Sequence, residues 1–369
     1  MVLTGAARRR LAGFALLLLI PAVVLFPRRK AAVAVQDTPL ATVEEYVKGN
    51  LPFSNVLRKG GVELRYIGGK REQSGIFLTD DQLFRRVNAP EEGVVAANNA
   101  AVLRFAEYLM DDNRSFYFAL IPTAVGVNHQ YLPSYAPVYD QRRMMEEVYR
   151  ELSGRLTGID TYIPLNTNRG HYLYYRTEDN LSAYGGYVVY STLAKRMGVA
   201  DASPYSYYDI VYADSKYYGK LYQTSPRESI RPDVLLQFRY TKHPREYIVT
   251  HYTEEGTKVY HSLFVDHMKD LGREMDMYLG GLSTVIDIRV SAPYNRKLLI
   301  FGDRTAQAYL PFLVNHYNQV TFVDLSGDSA LYADITPEAY DQVLMVYSVD
   351  TYVATDGVPA RIEALVPEE

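Results

Sequence analysis

The sequence contains neither cysteine nor tryptophan. Without cysteine there is no disulfide, no thiolate nucleophile and no Cys-ligated zinc, and the redox compartment stays open. A basic surplus is also missing, because 39 Lys and Arg stand against 43 Asp and Glu for a net charge of −4. Phosphate backbones are held by clustered Lys and Arg, so no nucleic-acid surface is expected. His129, His171, His243, His251, His261, His267 and His316 show no metal-ligand spacing such as H-E-x-x-H, so no metal is expected. The glycine pairs Gly60-Gly61, Gly68-Gly69, Gly185-Gly186 and Gly280-Gly281 are not phosphate loops. None is followed by Lys-Ser/Thr or by dinucleotide-binding spacing, so no cofactor is expected either. Asp80-Asp81 and Asp111-Asp112 read as solvated turns.

What is present supports a real core. Hydrophobic residues make up 48% of 369, enough for one large domain with an insertion or for two smaller ones. Tyrosine is heavily used, with 34 residues and pairs at Tyr174-Tyr175, Tyr207-Tyr208 and Tyr217-Tyr218. Such pairs either line a sugar-binding groove or fill half-buried strands, where tyrosine packs well.

Leu11 to Phe26 is apolar throughout, between Arg8-Arg9-Arg10 and Arg28-Arg29-Lys30. A spanning helix takes about 20 apolar residues, with roughly 17 as the short limit. Residues 1–35 therefore read as a signal anchor or a signal peptide, with Ala32-Val33-Ala34 as the exit a peptidase would use. Three basic residues directly after the apolar core favour the anchor. The flanks are balanced, so positive charge does not set the orientation. Either way the protein is exported, with membrane contact through residues 11–26 and residues 36–91 as a membrane-proximal segment.

Strand and helix signals then alternate. Helices are expected over Glu92 to Met110, Asp140 to Leu156 and Ser182 to Met197, with Ser182 at or near an N-cap. Strands are expected at Ser115 to Pro122, Ile159 to Ile163, Lys297 to Phe301, Gln319 to Val323 and Gln342 to Tyr347. This alternation implies an α/β domain over residues 92–369, with a mostly parallel sheet flanked by helices. Residues 205–265 read instead as a β-rich insertion.

The most informative stretch is Leu298 to Arg304 (LLIFGDR), an apolar run feeding a Gly-Asp turn, with Thr305 to His316 reading as a helix. In this strand–turn–helix context a serine at the turn is an exposed nucleophile. The stretch resembles the Gly-Asp-Ser block of SGNH-type esterases and acyltransferases, most closely the bacterial DHHW family. Three other blocks follow the same order. Tyr174 to Gly186 resembles the block in which Asp-His-His-Trp follows Arg-Thr, reading here Glu178, Asp179, Asn180 and Leu181. Asp214 to Tyr222 resembles a Phe-Tyr-Gly-Thr-Leu-Tyr segment, and Gly280-Gly281-Leu282 stands where the family tends to have Gly-Gly-Asn.

The resemblance implies an SGNH-like fold from about Pro52 onward and puts a carboxylate at position 178, a base at 180 and a nucleophile at 304. Glu178 keeps the acid with an extra methylene. Asn180 takes no proton at neutral pH, and the Arg304 guanidinium stays protonated. Leu282 removes an oxyanion donor. Thr305 is the one neighbouring hydroxyl, with nothing beside it in sequence to activate it, and His171 and His316 are the histidines nearest the cleft. No catalytic residue is therefore expected. If positions 178 and 304 converge as triad members do, Glu178 and Arg304 should form a charge-assisted pair. The resulting expectation is a membrane-anchored, extracytoplasmic pseudoenzyme binding a cell-envelope polysaccharide or a membrane acyltransferase. The alternative is an active polysaccharide O-acetyltransferase or esterase with an unrecognised constellation, such as Thr305 with a histidine from the insertion.

Overall fold

The computed structural model describes residues 54–110, 115–199, 202–354, 362 and 365. The apolar segment at residues 11–26 lies outside them. Among the described residues no helix is long and apolar enough to cross a membrane. Contacts divide the chain after Ser54, and the unit from Asn55 onward holds every described residue but Ser54 itself.

Helix α1 (Ser54–Ile67) leads into a small antiparallel sheet of β1 (Glu72–Gln73), β2 (Ile76–Leu78) and β3 (Leu83–Arg85). Val62, Ile76, Leu78 and Leu83 bury themselves against Leu221, Tyr222 and Ile230. The expected membrane-proximal segment is thus partly folded onto the domain. Helix α2 (Val94–Met110) precedes β4 (Ser115–Ile121), and α3 (Gln141–Glu151) precedes β5 (Thr157–Asp160). Helix α4 (Ala183–Arg196) begins at Ser182, whose Oγ accepts from the Gly185 N–H at 3.1 Å, as the N-cap reading required.

The β-rich stretch over 205–265 divides in two. Strands β6 (Tyr208–Tyr217) and β7 (Asp233–Tyr240) pair only with each other, whereas β8 (Tyr247–Thr253) and β9 (Gly256–Tyr260) extend the main sheet. That sheet is completed by β10 (Val285–Val290), β11 (Lys297–Gly302), β12 (Gln319–Val323) and β13 (Gln342–Ser348). Its order is β5-β4-β13-β11-β12-β10-β8-β9. The pairings from β5 through β12 are parallel, and those from β12 through β9 antiparallel.

The central strands are apolar runs because both of their faces are covered. Leu298 and Ile300 of β11 point to one face with Leu344 and Val346 of β13, beneath α4 and α5 (Ala306–Leu313). Leu299, Phe301, Val343 and Met345 point to the other, beneath α2, α3 and α6 (Val349–Ala354). A one-residue shift in either strand would exchange these sets, so burial fixes the register.

Helices α4 and α5 touch through backbone. A Cβ built on Gly186 would lie 2.0 Å from the Ala308 carbonyl oxygen. We therefore expect Gly186→Ala to push the helices apart and destabilise the domain by about 1–3 kcal/mol, the usual cost of overpacking. Thermal and denaturant unfolding read this directly. A melting point equal to that of the unsubstituted protein would contradict the close approach.

Candidate functional site

The site assembles at the C-terminal ends of β11 and β13, where open α/β sheets bind ligands. Strand β11 stops at Gly302, and Asp303 fastens the turn. One of its carboxylate oxygens accepts from the Thr305 N–H at 2.9 Å and the Thr305 hydroxyl at 2.6 Å. The other accepts from the Ser348 N–H at 2.7 Å and the Ser348 hydroxyl at 2.6 Å. Four donors on one buried carboxylate join the β11 turn to the end of β13.

A second carboxylate fixes the block before α4. Asp233 is fully buried, and its oxygens accept from the backbone N–H groups of Arg176 (2.7 Å) and Thr177 (2.9 Å). The hydroxyls of Tyr172 and Thr177 donate to it as well. Burial pushes the Asp233 carboxyl above the usual range, and the hydrogen bonds from Thr177 and Tyr172 oppose that push. Thr177 in turn accepts from the Gly219 N–H at 2.9 Å, which ties in the Tyr-Tyr-Gly block.

Glu178, Asn180, Leu282 and Arg304 line one cleft of about 440 Å³, so the positions named by resemblance do converge. The expected Glu178–Arg304 ion pair is not what forms. Glu178 accepts instead from the Tyr217 hydroxyl at 2.8 Å, the Lys220 N–H at 3.0 Å and the Asp179 N–H at 2.9 Å. These donors already satisfy its carboxylate, so it needs no guanidinium. Arg304 turns to Asp350 at 2.8 Å and Asp179 at 3.3 Å, and its Nε donates to the Asp179 carbonyl at 3.0 Å. Asp179 also binds Arg85 at 2.5 Å. Burial works against the Arg304 charge, but Asp350, Asp179 and Asp303 outweigh it and hold the guanidinium protonated.

Asn180 serves the backbone on both sides. Its Nδ2 donates to the Arg304 carbonyl at 3.1 Å, and its Oδ1 accepts from the Leu181 N–H at 2.8 Å. Leu282 follows a turn in which Leu279, Gly280 and Gly281 all have positive φ, at 62°, 85° and 99°. Left-handed backbone at a leucine is costly and marks functional turns. Here the Leu279 carbonyl accepts from His251 Nε2 at 2.7 Å, which anchors the turn. Thr305 borders a hollow of only about 10 Å³. That space holds one water at most.

The two histidines nearest the cleft in sequence are elsewhere. His171 is exposed and packs on the Tyr184 ring. His316 is buried, stacked on Tyr190 and 2.7 Å from its hydroxyl. The Tyr174-Tyr175 pair and Tyr217 are core residues. Among the described residues no cluster of His, Asp and Glu could hold a metal ion. The sequence reading missed Asp179 and Asp350 as partners of Arg304. Asp179 stood inside the matched block, one residue from a named position, whereas nothing in sequence linked Asp350 to it.

No family model matches the chain, and no curated protein matches it. Solved structures do. A DHHW family protein from Eubacterium siraeum superposes with a TM-score of 0.66 at 20% identity, covering 80% of this chain and 98% of that one. The chain has a DHHW-like fold. Bacillus cereus PatB1, solved with a sulfonyl adduct, matches at TM-score 0.63 and 18% identity over 77% of this chain and 96% of that one. The O-acetyltransferase domain of Pseudomonas putida AlgJ matches at TM-score 0.50 and 14% identity over 79% of this chain and 98% of that one. These likenesses agree with the α/β fold expected from sequence, a large, mostly parallel sheet flanked by helices.

Two measurements test the site's physics. Removing Arg304 leaves Asp179 and Asp350 facing each other, with side chains 14% and 17% exposed. A fully buried pair would lose 3–5 kcal/mol and an exposed one about 0–1. Because the Arg304 side chain keeps 35% exposure, we expect Arg304→Ala to cost about 1–3 kcal/mol in denaturant unfolding.

The second concerns pH. Burial lowers the His316 pKa to about 4, so the folded state takes up its proton later than the unfolded chain. Its contribution is intact above the ordinary value near 6.5 and is lost as pH falls toward 4, on the order of 3 kcal/mol in all. His316→Phe should flatten the decline in stability between pH 6.5 and 4. An unchanged slope would place the acid sensitivity elsewhere.

Proposed function

We propose that this chain is an exported, membrane-anchored protein that keeps an acyltransferase-type scaffold but transfers no acyl group, and that it binds a cell-envelope polysaccharide or a membrane acyltransferase. The observation that carries this reading is the seat of Arg304. A cation locked to Asp179 and Asp350 occupies the position where the resemblance puts a nucleophile, and a guanidinium has no lone pair to offer an ester. Position 180 adds no base, since the Asn180 amide is committed to two backbone groups. The DHHW-like fold and the likeness to an O-acetyltransferase domain support a role beside polysaccharide acetylation, and fold alone leaves the chemistry to the residues. Export and anchoring rest on the apolar segment at residues 11–26 and its basic flanks.

An active enzyme would need Thr305, whose hydroxyl is spent on Asp303 beside a hollow too small for a substrate. We expect the purified protein to hydrolyse 4-nitrophenyl acetate no faster than the buffer does. Turnover above that background that disappears in Thr305→Ala would overturn the proposal. A further check restores the lost letters together. Arg304→Ser alone should stay inert, because position 180 would still lack a base, whereas combining it with Glu178→Asp and Asn180→His should produce measurable ester hydrolysis if the cleft has kept its geometry.

A further inference from the structure

A groove of about 720 Å³, larger than the Arg304 cleft, shares no lining residue with it. Its size is that of a ligand site. Four arginines border it: Arg71, Arg169, Arg176 and Arg231. Among the described residues none of the four is paired with a carboxylate. Two are held flat by stacking, with the Arg71 guanidinium 3.8 Å from the Tyr66 ring centre and the Arg176 guanidinium 4.5 Å from that of Tyr172. Arg71 also donates to the Tyr66 carbonyl and Arg169 to the Asn166 side-chain oxygen, which leaves their other N–H groups and those of Arg176 and Arg231 for a planar anion.

The acids of the groove do not cancel this charge. Asp80 accepts from the Tyr66 hydroxyl at 2.9 Å and lies 3.6 Å from Arg227, a buried cation behind the groove. Asp81 is exposed, and His171 is the remaining titratable group apart from tyrosines. Tyr131, 56% exposed at the rim, offers a ring on which a sugar face can rest.

We propose that this groove binds an acidic glycan, with sugar carboxylates on the arginine edges and a sugar face on the Tyr131 ring. An acidic peptide such as polyglutamate would meet the arginines but brings no ring face to Tyr131. The inference deepens the polysaccharide part of the proposed function and does not depend on the loss of acyl transfer, which the ester assay tests separately.

Titration calorimetry on the full-length chain decides it, using hexagalacturonate, its fully methyl-esterified form and hexaglutamate. We expect hexagalacturonate to bind, and the other two to bind at least roughly tenfold more weakly, the scale of one lost charge-assisted contact. Arg231→Ala and Arg176→Ala should each weaken binding by a similar factor. Arg231 is exposed, so its variant should fold normally. Arg142→Ala, at an exposed arginine of α3 outside the groove, should bind unchanged. Equal affinity for the ester or the peptide, no binding of hexagalacturonate, or indifference to both groove arginines would overturn the proposal. An equal loss of binding in Arg142→Ala would make the attraction a general charge effect and overturn the groove assignment too.

Discussion

One guanidinium joins three parts of the chain that are far apart in sequence. Arg304 at the end of β11 holds Asp179 from the block before α4 and Asp350 from the start of α6. Through Asp179 it also reaches Arg85 of the small N-terminal sheet. The arrangement works because positive and negative charges alternate around a half-buried point, so no charge is left without a partner. The cation fixed by these two carboxylates occupies the position that the resemblance assigns to a nucleophile.

Two other carboxylates make that arrangement rigid. Asp303 accepts from Thr305 and Ser348 and fixes the turn that presents Arg304. Asp233 accepts from Arg176 and Thr177 and fixes the block that presents Glu178, Asp179 and Asn180. Both are buried and satisfied by donors on fixed backbone, so neither can give way without exposing an unpaired charge. The chain thus retains precise positioning of a cleft in which the positioned groups are Glu, Asn and Arg. A scaffold that holds its side chains this firmly suits recognition as well as catalysis.

The groove and the Arg304 cleft also sit on different sides of the same block. Tyr172 and Arg176 face the arginine-lined groove, while Glu178 and Asn180, a few residues on, line the cleft. The Asp233 clamp lies between them, so the two sites share one anchor without sharing a wall.

Much was legible in the residues themselves. The apolar runs at Lys297 to Phe301 and Gln342 to Tyr347 announced strands buried on both faces, and Ser182 announced the start of α4. The order of blocks around Glu178, Leu282 and Arg304 was enough to expect them in one cleft, and they line one. These are local properties, set by hydrophobic period, capping and the chemistry of single side chains. The partner of Arg304 was not local. Both Glu178 and Asp179 were available acids at adjacent positions, and their backbone neighbours decided between them. Tyr217 and the Lys220 N–H satisfied the first, leaving the second, with Asp350, for the guanidinium. The groove was equally hidden, because Arg71, Arg176 and Arg231 come together only when the small sheet folds back onto the domain. Sequence determined which groups were present and which local elements would carry them. Tertiary structure decided who pairs with whom, because a hydrogen bond or ion pair depends on distances between atoms that chain order does not fix.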